Sequence, residues 1–200
     1  MKCALCKTKK CYEGVDCTKI KDEIIPNYTK SENKKIMQIS SKIESGGYMK
    51  LTRLEELIMF CNEMNFKKIG VAFCIGLEDE AKSLHEILEK NFDVYSVCCK
   101  VCGINKSEFK LNKVRDNDFE AMCNPIGQAK VLNEHGTDLN IICGLCMGHD
   151  LLFSKYSKAP VTTLIVKDRV LAHNPVGALN KYYRNKLKYT TQLVRNKINN

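Results

Sequence analysis

Long apolar runs and nucleotide-binding motifs are absent from this sequence of 200 residues. Its apolar stretches, such as residues 161–166, are far shorter than the roughly 20 residues that a helix needs to cross a bilayer. We therefore predict neither a transmembrane helix nor a membrane partner. The sequence also lacks a phosphate-binding P-loop, a G-x-G-x-x-G fingerprint and a G-x-S-x-G nucleophile elbow, which argues against nucleotide-dependent transfer and serine hydrolysis. The polar start of the chain does not resemble a secretory signal, so we expect a cytoplasmic protein.

The composition is that of a globular protein with an unusual number of cysteines. Hydrophobic residues make up 44% of the chain and charged residues 28%, which suits one sizeable core and excludes disorder, collagen and coiled coil as the main organisation. Twelve residues are cysteine. In a reducing compartment, cysteines serve as metal ligands, redox groups or buried apolar residues more often than as disulfides. The cysteines are therefore the most informative feature of the sequence.

Four cysteines lie close together at the amino terminus, at Cys3, Cys6, Cys11 and Cys17. Their spacing is C-x2-C-x4-C-x5-C, and the charged and small residues between them cannot build an apolar core. A bound tetrahedral metal offsets the entropy of ordering such a polar segment. Four thiolates suit a structural zinc site or an iron–sulfur cluster, and the alternative is four unrelated reduced cysteines. We expect residues 1–24 to form a metal-binding segment.

A pair of helices is predicted in residues 25–66, packed on the main domain. Ser31 is placed to cap the first helix, whose isoleucines recur at helical spacing. Thr52 and Glu55 form a capping-box pattern that opens the second helix. Cys61 lies on the apolar stripe of that second helix, so we expect it to be buried and not to bind metal.

Residues 67–180 alternate short apolar runs with helical patterns, which predicts an α/β domain. Four runs are typical of buried parallel strands: residues 69–74, 94–98, 139–143 and 161–166. Helices are predicted at residues 78–90, at residues 125–135 and after Gly148, and residues 106–122 are predicted to be irregular. The fold class is therefore α/β, a Rossmann-like three-layer arrangement of a mostly parallel sheet with flanking helices.

The remaining cysteines fall at the predicted strand ends. Cys74 closes the first strand, Cys98, Cys99 and Cys102 close the second, and Cys143 and Cys146 close the third, while Cys123 precedes a helix start. The carboxyl ends of parallel strands line the crevice where ligands bind, and helix N-termini stabilise thiolates. Packing alone does not explain so many thiols at one edge, so we predict a cysteine-lined metal site there.

The sequence is compatible with two kinds of metal site at this edge. Many soft ligands arriving from separate loops within an apolar shell favour an iron–sulfur cluster. The two compact pairs Cys99-x2-Cys102 and Cys143-x2-Cys146 are also typical of zinc. A thiol-rich strand edge without any metal is the remaining alternative.

Several longer motifs surround these cysteines. They are VCCK at residues 97–100, CNPIGQA at 123–129, GLCMGHD at 144–150, APV at 159–161, KDR at 167–169 and HNP at 173–175. These motifs resemble an uncharacterised family of cysteine-rich proteins from anaerobic bacteria and archaea, known only as predicted metal-binding proteins of unknown function. The resemblance covers nearly the whole chain. It implies metal binding, with Cys99, Cys123 and Cys146 as core cysteines and Cys98 beside them.

Three cysteines from three loops would leave one iron of a 4Fe-4S cluster open for chemistry. This arrangement is loosely similar to iron–sulfur enzymes that remove sulfur or oxygen from nucleobases, such as thiouracil desulfidases and epoxyqueuosine reductases. In such an enzyme His149 would be the proton donor, and Asp150 would orient it or act as a plain helix-start charge. Lys167, Arg169 and Asn174 follow the last strand, where they would bind a small or nucleobase-like substrate or form a charged turn.

Other functions stay open. One is a zinc-binding structural, regulatory or metal-handling protein without catalysis, and another is a two-cluster electron carrier with a redox partner. The net charge of +9 is concentrated in residues 181–200, which carry six basic residues and no acidic one. This segment fits a solvated basic C-terminal helix or tail better than an RNA-binding element, although its interleaved tyrosines suit RNA as well.

Overall fold

The structure is a computed structural model that describes residues 1–115 and 118–183. It divides into two compact units, Met1–Met64 and Asn65–Asn200. From position 184 onward, the predicted basic segment lies outside the described residues. Within the described ranges, every helix is too short or too polar to cross a membrane.

The first unit consists of two short 3₁₀ turns followed by three helices. The turns span Cys3–Leu5 and Lys10–Glu13, and the helices are α1 (Lys21–Tyr28), α2 (Ser31–Gly47) and α3 (Arg53–Met64). The sequence predicted α2 and α3 but missed α1, which has no buried residue and therefore no apolar stripe to reveal it.

The starts of the two predicted helices differ in how they are capped. At α3 the capping box forms, because the Glu55 carboxylate accepts from the Thr52 backbone N–H at 2.6 Å and the Thr52 hydroxyl accepts from the Glu55 N–H at 3.3 Å. At α2 the cap predicted at Ser31 is wrong: Ser31 is already the first helical residue, and Lys30 occupies the cap position. Cys61 is fully buried in α3, as predicted.

The second unit is built on a four-stranded sheet in which all strands run parallel, which confirms the predicted α/β fold. The strands are β1 (Lys68–Phe73), β2 (Asp93–Cys98), β3 (Leu139–Cys143) and β4 (Val161–Ile165), in the order β2-β1-β3-β4. The central strands β1 and β3 are buried on both faces, which explains their nearly continuous apolar sequences.

Three helices connect the strands: α4 (Glu78–Leu88), α5 (Pro125–His135) and α6 (His149–Tyr156). Because β2 and β3 lie on opposite sides of β1, right-handed crossovers place α4 on one face of the sheet and α5 and α6 on the other. The α5–α6 face packs on one apolar cluster, made of Ala72, Val97, Ala129, Leu132, Ile142, Leu145 and Phe153.

A buried asparagine joins β3 to the connections around it. The Asn140 side-chain oxygen accepts from the Thr137 hydroxyl at 2.8 Å, and its amide nitrogen donates to the Ser157 hydroxyl at 2.8 Å. In the parallel pairing of β1 with β3, Asn140 lies opposite Gly70. A Cβ atom at Gly70 would overlap the Asn140 side chain and would approach Leu132 Cδ1 to 2.9 Å. The absence of a side chain at Gly70 therefore makes room for the Asn140 amide.

We expect Gly70→Ala to lower the free energy of unfolding by about 1–3 kcal/mol, the usual cost of overpacking a well-filled interior. Thermal or chemical unfolding followed by circular dichroism measures the change. Gly46→Ala is the matched control, because a Cβ at this helical glycine has nothing within 4 Å. The control should be neutral or stabilising, and equal losses in the two variants would contradict the assignment of Gly70.

Candidate metal centre

The carboxyl edge of the sheet has its switch point between β1 and β3. The chain leaves β1 toward β2 on one side and continues to β3 on the other, which is the arrangement that opens a ligand-binding crevice. Cys74 directly follows β1, and its backbone N–H donates to the Cys143 carbonyl at 3.2 Å. Cys99 directly follows β2, and its N–H donates to the Phe73 carbonyl at 2.9 Å. Parallel pairing thus aligns three cysteine-bearing strand ends.

Three sulfurs at this edge form a hydrogen-bonded row, with Cys99 between Cys74 and Cys123. Hydrogen bonding to its two neighbours raises the pKa of the Cys99 thiol in the metal-free protein. The hydrogen bond from Cys99 lowers the pKa of Cys74 to about 4 and that of Cys123 to about 5. Because one thiol carries one proton, Cys99 can donate to only one neighbour at a time. The row therefore favours a thiolate at one of its two ends at a time, either Cys74 or Cys123.

Three cations lie beside the cysteine sulfurs of this edge, which include Cys146. Lys100 Nζ lies 3.6 Å from Cys123 Sγ and donates to the Ala121 carbonyl at 2.6 Å. Arg169 Nη2 lies 3.0 Å from Cys146 Sγ, and its charge opposes the effect of burial, which raises the pKa of the Cys146 thiol. The positive charges favour thiolates, the form that binds metal.

Lys167 is the third of these cations. Its Nζ lies 3.5 Å from the Gly76 carbonyl, and its charge contributes, after the hydrogen bonds from Cys99 and the Gly76 N–H, to the low pKa of Cys74. Lys167 is half-buried, whereas Arg169 is exposed. Both cations predicted at this edge therefore reach its cysteines.

Cys123, Cys146 and His149 form the closest group of potential metal ligands. Their ligand atoms all lie within 4.8 Å of one another, and the three side chains are half-buried. Among the described residues, this is the one group of at least three His, Cys, Asp or Glu side chains whose ligand atoms come so close. The same turn holds two of them, since the His149 N–H donates to the Cys146 carbonyl at 2.9 Å.

Cys123 reaches the site through a loop that returns to its own starting point. The Asn124 N–H donates to the Cys99 carbonyl at 2.7 Å, which ties the two ends of the loop together. Farther out, Lys106 and Glu120 form an ion pair at 2.7 Å, and the hydrogen bond from Lys106 lowers the pKa of Glu120 to about 2. The backbone hydrogen bond at Asn124 and the Lys106–Glu120 ion pair therefore hold the loop so that Cys123 lies beside Cys99.

Three other predicted residues have different surroundings. Cys98 is half-buried, and its Sγ accepts from the Lys100 backbone N–H at 3.5 Å. The Asp150 carboxylate accepts from the Gly148 and Leu151 N–H groups at 2.9 Å each, the contacts of a helix-start charge. Asn174 is exposed and lies at the cap position of a 3₁₀ turn.

The four amino-terminal cysteines lie in the first unit. Cys3, Cys6, Cys11 and Cys17 are all exposed, and their sulfurs do not form a group as close as that of Cys123, Cys146 and His149. Hydrogen bonds from the Lys9 backbone and from Thr8 lower the pKa of Cys6.

The sequence placed Cys74 at the predicted metal edge without assigning it as a ligand, and it assigned no role to Lys100. Cys74 had a usable signal, because a residue that follows the first strand lies beside the switch point of such a sheet. Lys100 had a weaker one, its position directly after Cys99. By contrast, burial raises the pKa of Cys143 to about 11, so this cysteine behaves as part of the core.

Comparisons with known proteins place this chain in a family. A family model described as "Protein of unknown function (DUF1847)" matches residues 12–164. The chain is 64% identical over 189 residues to "Uncharacterized protein MJ0455" of Methanocaldococcus jannaschii, a match that covers 94% of this chain and 98% of the relative. No solved structure matches the chain. The resemblance to an uncharacterised family with a member in an archaeon is confirmed, and the family description names no metal.

We expect Lys100→Met to raise the pKa of the Cys123 thiol in the metal-free protein, because the variant loses a charge that favours the thiolate. The rise should be partial, since the hydrogen bond from Cys99 remains. The pH dependence of alkylation at Cys123, followed by peptide mass spectrometry, measures the effect. Lys130→Met is the control, because its exposed ammonium pairs with Glu134 on α5. An unchanged alkylation midpoint in Lys100→Met would refute the contact.

Proposed function

The chain belongs to the DUF1847 family of proteins of unknown function, and we propose that it is a metal-binding protein with its metal centre at the switch point of the sheet. We assign Cys99, Cys123 and Cys146 as ligands and Cys74 as an additional sulfur at the same place. The observation that carries the proposal is the meeting of sulfurs from separate loops: Cys99 is hydrogen-bonded to Cys74 and Cys123, and Cys123 lies within 4.8 Å of Cys146.

The donor set fits an iron–sulfur cluster in its chemistry. Thiolates are soft ligands that select iron–sulfur clusters, zinc or copper(I) over magnesium and calcium. Cys74 and Cys99 are buried, only 5% and 2% exposed, which supplies an apolar shell. Several thiolates around a cluster leave a net negative charge, and Lys100, Lys167 and Arg169 are placed to compensate it. The cations beside the sulfurs therefore suit a thiolate-rich centre such as a cluster.

Zinc is the second candidate, supported by the compactness of one part of the site. Zinc bonds of about 2.3 Å in a tetrahedron place thiolates roughly 3.8 Å apart. The ligand atoms of Cys123, Cys146 and His149, all within 4.8 Å of one another, are close to that arrangement. Three protein ligands would leave one position of the tetrahedron open, as in catalytic zinc sites.

We propose sulfur or redox chemistry on a small or nucleobase-like substrate as the use of the centre. A cluster with an open iron supplies Lewis acidity or electrons when bound. The chain supplies access, since Cys146 is half-buried and its partner Arg169 is exposed. Arg169 and Lys167 also place positive charge beside the sulfurs, which favours a substrate with an anionic group.

We also propose a second thiolate site in the amino-terminal segment, held by Cys3, Cys6, Cys11 and Cys17. The segment is exposed throughout and lacks a core, and its cysteine spacing supplies four soft ligands. The hydrogen bonds that Cys6 accepts from Lys9 and Thr8 favour its thiolate form. A structural role is the simplest use of such a site.

Replacing Cys99, Cys123 and Cys146 together by alanine should remove the metal of the switch-point centre. The measurement is iron, zinc and acid-labile sulfide per chain after purification without oxygen, together with the visible absorption spectrum. Iron and sulfide in equal amounts with visible colour would identify a cluster, whereas colourless protein with zinc alone would identify the second candidate.

Two control variants separate the sites. Cys102→Ala removes an exposed cysteine at the same edge and should leave the metal content unchanged. Alanine at all four amino-terminal cysteines should remove only the metal of the first unit. Full metal content in the variant that lacks Cys99, Cys123 and Cys146 would overturn the switch-point centre, because the metal would then be bound without its three assigned cysteine ligands.

A further inference from the structure

We infer that His149 is itself a ligand of the switch-point metal, in place of the free proton donor that the sequence predicts. This inference rests on the proposed metal centre, and it holds for either metal. The evidence is the place of the imidazole among the sulfurs: a ring nitrogen of His149 lies within 4.8 Å of both Cys123 Sγ and Cys146 Sγ.

The backbone holds His149 where a ligand is needed. Cys146 and His149 are separated by two residues, the compact spacing that metal-binding pairs use. Gly148 between them has φ of +85°, a left-handed conformation that turns the chain into α6. The His149 N–H closes this turn on the Cys146 carbonyl at 2.9 Å. The turn therefore presents a sulfur and an imidazole to the same point.

The surroundings of His149 suit a ligand better than an acid catalyst. A catalytic histidine is usually oriented by a carboxylate, and the adjacent Asp150 is the natural choice. The Asp150 carboxylate instead accepts from the Gly148 and Leu151 N–H groups. Meanwhile Lys100 and Arg169 already contact the sulfurs on either side, so the neutral imidazole of a metal ligand adds no further positive charge.

A histidine ligand changes the character of the centre. An imidazole in place of a thiolate leaves the metal with one negative charge less, and in iron–sulfur proteins this exchange raises the reduction potential. The His149 side chain is also half-buried at the rim, whereas Cys74 and Cys99 are buried. His149 thus lies with Cys123 and Cys146, which are also half-buried, on the side of the centre that solvent and a small molecule can reach.

The test compares wild type, His149→Ala and His135→Ala, each purified without oxygen from cells supplied with ¹⁵N-histidine. His135 is the control because its ring stacks on Tyr95, with centroids 4.2 Å apart, and it lies at the far end of α5. If iron is present, pulsed EPR of the reduced protein should detect coupling to histidine nitrogen in wild type and His135→Ala. If zinc is present, X-ray absorption should detect imidazole in the metal shell.

His149→Ala should lose the nitrogen signal and bind metal about 100-fold or more weakly, at or above the cost of losing an outer-shell partner. Added imidazole should restore the nitrogen signal. His149→Cys guards against a folding defect: it should keep the metal, lack the nitrogen signal and, for a cluster, have a lower reduction potential.

Two negative results have different meanings. In the variant that lacks the four amino-terminal cysteines, metal without any histidine nitrogen signal would overturn the ligand assignment and leave the proposed metal centre standing. Full metal and an unchanged spectrum after His149→Ala in the same variant would have the same meaning. Wild type that binds neither iron nor zinc would overturn the metal centre itself, and the ligand assignment with it.

Discussion

The parallel pairing of β1 with both β2 and β3 is the constraint on which the site depends. Because the chain reverses its direction of sheet growth at β1, the carboxyl ends of three strands meet around one crevice. The bonds from Cys74 to the Cys143 carbonyl and from Cys99 to the Phe73 carbonyl extend this alignment one residue past the strands. Cys74, Cys99 and Cys143, which are distant along the chain, become neighbours for this reason.

The electrostatics of the crevice follow from that alignment. Sulfurs that lie this close together would repel one another as thiolates. The Cys99 proton, which is hydrogen-bonded to its two neighbours, and cations from two different loops reduce that repulsion. Lys100 approaches Cys123 while its other contact, the Ala121 carbonyl, holds it in place. A metal ion is a further positive charge in such a site, so the arrangement is consistent with metal binding and gives it a physical basis.

The elements of the α/β domain were predictable because local patterns agree with the global fold. The strand β3 was predicted with its observed ends, and α5 begins and ends at the predicted residues because Asn124, Pro125 and Gly136 are strong local signals. The helix α1 was missed because none of its residues is buried, and the cap of α2 was misplaced by one position. Where burial imposes no period, sequence carries little information about structure.

The sequence by itself determined the α/β fold class, the edge at which the cysteines gather and the thiol-rich chemistry of that edge, because strand periodicity and residue chemistry are local properties. Only the tertiary structure decided which of these residues are in contact. It placed His149 beside Cys123 and Cys146, brought Lys100 to Cys123, and turned Asp150 to the start of its own helix. Such contacts join residues from separate loops, and their distances depend on how crossovers and loop bases pack, which no single segment encodes.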